Sequence, residues 1–168
     1  MSITPNLSPV ETRVRILPEW IDLNGHMNVA YYVLAFDQAT DTLYKALGIA
    51  GDYLERERRS VFTLAMNVDY LREVFAGDEV RIVSRMLDHD HKRIHYFHEM
   101  YHASQGWLSA TNECVAVHVD MTRRKSAPFP DLAAERLAAM TAAHAALGRP
   151  DRAGRSLEIR RDKPGPAR

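Results

Sequence analysis

From Leu23 to Phe36 the chain runs 14 residues without an Asp, Glu, Lys or Arg. A bilayer span needs about 20 apolar residues, so this run is too short to cross one and has to be buried by its own fold. The spacing predicts a helix from about residue 28 to 47, with Asn24 or Asn28 able to cap its start and Gly48 placed to close it. Val29 to Phe36 are apolar on every side of that helix, a pattern expected of an enclosed element. The second half turns amphipathic through Asp37, Gln38, Asp41 and Lys45.

The rest of the chain supplies strands to do the enclosing. Residues 10–17 (VETRVRIL) alternate and predict a first strand, ended by Pro18. After a charged connector at 54–59 come four strand-like runs, at about 61–71, 79–88, 92–103 and 106–120. Turn residues separate them: Gly77-Asp78, Asp88–His91 and Ser104-Gln105-Gly106. Consecutive strands should therefore be antiparallel. Asp131, after Pro130, can cap an alanine-rich second helix. The expected fold is α+β, with an antiparallel sheet of about five strands wrapped around one long helix.

At 168 residues this is one domain over 1–148, followed at 149–168 by Pro, Gly and Arg without periodicity, expected to form a disordered basic tail. Acids and bases balance at 22 each, so no overall charge draws in nucleic acid or a membrane surface. One cysteine, Cys114, excludes an intramolecular disulfide and suits a reducing compartment. No basic start followed by an apolar run opens the chain, so the expected location is cytoplasmic.

Directly before the apolar helix lies a polar corner, Asp22-Leu-Asn-Gly-His-Met-Asn28. The corner, the buried helix and the strand meander after it resemble the hot-dog fold thioesterases of the 4-hydroxybenzoyl-CoA thioesterase type. Their signature reads roughly Asp-x-x-Gly-(His)-hydrophobic-Asn, and the likeness covers about residues 10–146 in element order. "PEWIDLNGHMN" and "VHVD" (117–120) look most similar to the subgroup acting on betainyl-CoA in carnitine breakdown. The resemblance implies an acyl-CoA thioesterase with Asp22 as its catalytic carboxylate. It further implies an active site at a homodimer junction, with coenzyme A as part of the substrate rather than a separate cofactor. It does not fix the acyl group.

The chemistry agrees. A thiol with a pKa near 8.5 leaves as thiolate without strong acid help, so one carboxylate can suffice. Asp22 could take a proton from water or attack the carbonyl itself. Helix N-terminal N–H groups favour the negative charge that develops. His26 is a candidate to orient water or substrate, and Asn28 a candidate catalytic contact as well as a cap. Trp20, Tyr31 and Tyr32 could hold the acyl group, by cation–π attraction if it carries a quaternary ammonium. Where the family carries basic residues for the CoA phosphates, the chain has Lys92 and Arg93. Arg123-Arg124 and Arg58-Arg59 offer further cations.

Other readings compete. His89, His91 and His95 share one strand parity and His98 and His102 the other, so this histidine run is not read as a metal site. A hydratase of the same fold would carry Asp-x-Asn-Pro-hydrophobic-His, which Asp22-Leu-Asn-Gly-His26 approaches without the proline. A non-catalytic acyl-CoA-binding module is the third reading. The expected assembly is a homodimer, or a tetramer built from two.

Overall fold

The computed structural model describes residues 7–157. Its main elements are β1 (Val10–Arg15), α1 (Val29–Leu47), a short α2 (Tyr53–Glu57), β2 (Arg59–Tyr70) and β3 (Glu79–His89). They continue with β4 (Arg93–His102), β5 (Leu108–Asp120), a two-residue β6 (Lys125–Ser126) and α3 (Asp131–Ala145). Every strand pair is antiparallel, in the order β1-β3-β4-β5-β2, with β6 pairing the end of β5.

Local chemistry sets the bounds of α1. Asn28 stands in extended conformation as the cap, its side chain accepting from Ala30 N at 3.0 Å. Gly48, at φ 76°, adopts the left-handed turn that closes the helix. Between them Tyr32, Ala35, Phe36, Ala39, Leu43 and Leu47 face the sheet and are buried. Phe36 stacks on His98 of β4 at 5.7 Å, which ties the middle of the helix to the middle of the sheet. Alpha-3 lies beside α1 and sends Ala133, Leu137 and Met140 into the same core. Asp131 is its first residue rather than its cap, which is Pro130. Where β3 shifts register after Met86, His144 of α3 accepts the Met86 N–H at 2.9 Å, so the irregularity leaves no orphan donor there.

Two expectations need correction. The first half of α1 is not enclosed all round: Val29 is 55 % and Leu34 40 % exposed. The sheet of one chain covers one side of the helix and leaves the opposite flank open. Nor is the segment after Arg149 free of contacts where it is described. Arg152 and Arg155 both reach Asp69 of β2, at 2.9 and 2.7 Å. Asn67 Nδ2 donates to Arg155 O, and Gly154 N to Glu113 of β5. Two of the arginines that gave the segment its basic composition, Arg152 and Arg155, are groups that dock its described part. The remainder, 158–168, lies outside the described residues. Among those described, no helix is long and apolar enough to cross a membrane.

Candidate active site

The loop from Ile21 to Asn28 is folded onto itself around Asp22. Asp22 N donates to His26 O at 3.1 Å, and Gly25 N to Asp22 O at 3.0 Å. Gly25 sits at φ 83°, so the reversal needs glycine there. One carboxylate oxygen of Asp22 accepts Asn24 N at 2.8 Å and the other faces Asn28 Nδ2 at 3.4 Å. Asn28 thus works in both directions, its oxygen capping α1 and its amide nitrogen turned to the carboxylate. Together these hold Asp22 beside the N-terminus of α1.

A second loop is fastened to the first. Met27 N donates to the carbonyl of Val74, which is wholly buried, and Asn28 N to Trp20 O, both at 2.9 Å. This brings the β2–β3 connection against His26. The imidazole Nδ1 lies 3.2 Å from Met27 O, and Nε2 lies 3.6 Å from Glu73. Between the loops opens a cavity of about 310 Å³. His26, Tyr32, Tyr70, Arg72 and Glu73 line it, with Met27 and Val29 among the apolar walls. Tyr32 and Tyr70 meet edge to face at 5.2 Å. Burial raises the Tyr32 hydroxyl above its ordinary pKa, keeping it a neutral phenol.

The structure separates the residues that the sequence grouped. Asp22, Asn28 and His26 share one loop, and Tyr32 reaches the cavity. Trp20 and Tyr31 instead stack on each other at 5.4 Å and 10°, packed in the core with Met27 and Tyr32 but not themselves lining the cavity. Rings so close leave no room for a cation between them. The basic candidates gather at the other end of the sheet. Lys92 O accepts from His118 N, and Arg93 is held by Asp90 at 2.6 Å. Arg123 N caps onto Asp120, which pairs with Arg59 across the strands, and Arg124 sits at φ 51° in the same turn. Beta-2 runs 12 residues from Arg59 to Tyr70, about 36 Å at roughly 3.3 Å per residue. Within one chain these cations are thus far from Asp22.

The histidines of β4 also take separate partners. His95 meets Glu113 at 2.7 Å, His102 faces Asp78 at 3.6 Å, and His98 is buried between Ser84 and Thr40. Cys114 is buried, and desolvation pushes its thiol up to about 12, far from a thiolate. Tyr70, Arg72 and Glu73 escaped the sequence reading, because contacts distant in sequence, among them the Met27–Val74 bond and the Tyr32–Tyr70 ring pair, place them beside His26.

A family model described as thioesterase-like superfamily matches residues 16–137. The chain is 37 % identical over 144 residues to a betainyl-CoA thioesterase of Pseudomonas aeruginosa, covering 86 % of this chain and 91 % of that one. It is 34 % identical to an L-carnitine dehydrogenase/betainyl-CoA thioesterase of Rhizobium meliloti, covering 90 % of this chain and 30 % of that longer protein. Among solved structures, a Staphylococcus aureus protein in complex with CoA superposes with a TM-score of 0.84 at 25 % identity, covering 90 % of this chain and 96 % of that one. The chain belongs to the thioesterase-like superfamily and is a thioesterase of the hot-dog fold.

Proposed function

We propose that the protein hydrolyses betainyl-CoA, releasing betaine and CoA, with Asp22 as the catalytic carboxylate. The observation that carries this reading is a carboxylate held by Asn24 and Asn28 at the N-terminus of α1. It stands in a chain 37 % identical to a betainyl-CoA thioesterase. Two routes fit that placement. In the first, Asp22 takes a proton from water as its oxygen bonds to the thioester carbon. The resulting oxyanion then collapses, breaking the C–S bond and expelling CoA thiolate. In the second, Asp22 attacks the carbonyl and expels the thiolate, and water opens the mixed anhydride. His26 orients the water or the acyl group, and Asn28 holds Asp22 in place. The N–H end of α1 favours the negative charge on the carbonyl oxygen in either route.

The working unit is a homodimer. Beta-2 is an edge strand whose Phe62, Leu64 and Met66 are 40 %, 59 % and 46 % exposed, an apolar edge that a second copy would cover. A two-fold pairing of β2 with its antiparallel copy sets the Arg59 end of one strand beside the Tyr70 end of the other. The partner's basic end, with its Lys92, Arg93, Arg123 and Arg124, then approaches this chain's cavity and serves the CoA phosphates. Cys114, buried and unpaired, suits the reducing conditions of the cytoplasm.

The test is free-thiol release from a thioester panel of betainyl-, acetyl-, butyryl-, benzoyl- and crotonyl-CoA, with hydration of crotonyl-CoA followed in parallel. Betainyl-CoA should give the highest kcat/KM. Hydration of crotonyl-CoA, or CoA binding with no thiol release from any member, would refute the proposal.

A further inference from the structure

A quaternary ammonium presents a protein with an unusual task. It has a full charge but no N–H, so no acceptor can hydrogen-bond it. Only aromatic faces and a carboxylate at longer range can tell it from a neutral group of the same shape. The cavity beside His26 offers those elements together. Tyr32 and Tyr70 meet edge to face at 83°, so their two ring planes enclose a right-angled corner. Met27 and Val29 add apolar wall. Glu73 contributes the acid at the rim, its side chain 62 % exposed.

The charges around the cavity are distributed unevenly. Arg72 also lines it, but its guanidinium lies 4.2 Å over the ring of Trp107, which is not a lining residue. Glu73 has a looser tie, to His26 Nε2 at 3.6 Å, longer than a hydrogen bond. The other aromatic candidates, Trp20 and Tyr31, are stacked face to face on each other.

Resting on the betainyl-CoA reading, we infer that Glu73, with the ring faces of Tyr32 and Tyr70, forms the acyl-cation subsite that selects a trimethylammonium acyl group over its neutral isostere. Glu73 acts through charge and the two tyrosines through their faces. A neutral acyl group fills the same volume but gains nothing from the carboxylate. None of this involves a bond-making step: the subsite sets which acyl group is held on the loop that carries Asp22.

The experiment compares kcat/KM of the full chain for betainyl-CoA and 3,3-dimethylbutyryl-CoA, in which a carbon replaces the nitrogen. The wild type should prefer the charged thioester by at least about tenfold, the worth of about 1.4 kcal/mol. Glu73→Gln should reduce that ratio by about tenfold, and Glu73→Lys should bring it below one. Tyr70→Leu, which removes one of the two rings, should reduce it by about threefold. If Glu73 served only to hold His26, both thioesters would slow together and the ratio would stand. A wild-type preference that survives Glu73→Gln overturns the subsite while leaving the betainyl-CoA reading intact. Equal wild-type rates on the two thioesters also overturn it. A wild type that cleaves neither thioester overturns both.

Discussion

His26 and His98 are the same residue in opposite settings, one built into the buried sheet and the other on the loop proposed to carry the chemistry. His98 is fully buried in the sheet, with Nδ1 2.7 Å from Ser84 Oγ and Nε2 3.0 Å from Thr40 Oγ1. Both ring nitrogens are satisfied by neutral hydroxyls, and Phe36 stacks on the ring. Burial alone pulls its pKa down to about 3. His26 lies at the rim of a cavity, on a loop, with a carboxylate beside its outer nitrogen. The buried histidine joins helix to sheet, and the loop histidine is available to a ligand. Altering the first should unfold the protein without changing its chemistry, and altering the loop should do the reverse.

The largest expected stability effect falls on the buried side. His98→Leu strands the Ser84 hydroxyl, leaves Thr40 only its bond to Phe36 O, and should cost about 3 kcal/mol. For a chain of this size that lowers Tm by about 6–12 °C in calorimetry. kcat at a temperature where the variant is folded should stay within about threefold. The same residue makes stability depend on pH. With a folded pKa near 3 and an unfolded pKa near 6.5, only the unfolded chain binds this proton between those values. Stability is therefore unaffected above pH 6.5 and falls as pH drops below it, at up to about 1.4 kcal/mol per pH unit from this group. His118 and His144, lowered chiefly by burial, add to the same trend. A Tm that stayed flat from pH 7 to 4.5 would break the comparison.

The next effect lies between the two regions, on the open edge. Leu64→Lys puts a charge in the middle of the apolar β2 edge, and should shift the protein to monomer in sedimentation and lower kcat/KM by about tenfold. A dimer of unchanged affinity would show that the copies meet elsewhere. The smallest effect is at the docked C-terminal segment. Asp69→Ala removes the shared partner of Arg152 and Arg155, both partly exposed pairs, and should cost about 1 kcal/mol, or roughly 2–4 °C in Tm. No change at all would mean that those arginines leave the segment undocked in solution.

How much of this could be read from the residues follows the range of the forces involved. A cap at Asn24 or Asn28, Gly48 as the helix stop and the strand meander were legible because each depends on neighbours within a few positions, and the structure puts the cap at Asn28. The open flank of α1 was not. An apolar residue looks the same in sequence whether its own sheet covers it or nothing in its own chain does, as at Val29 and Leu34. Glu73 and Tyr70 were invisible because contacts distant in sequence, among them the Met27–Val74 bond and the Tyr32–Tyr70 ring pair, set them against His26. The arginines after residue 149 suggested a tail by composition, and only the fold shows Asp69 and Glu113 in reach. Trp20 and Tyr31 pointed to a ligand by type, yet their rings are used on each other.

The central claim is that the Asp22 loop carries the chemistry while the buried sheet carries the stability. The direct measurement is kcat for betainyl-CoA hydrolysis by Asp22→Asn, with Tm recorded on the same preparation. The account predicts a loss of at least about 100-fold, the cost of removing a base or nucleophile, with Tm within about 2 °C of wild type. A folded Asp22→Asn protein that kept most of its turnover would contradict it.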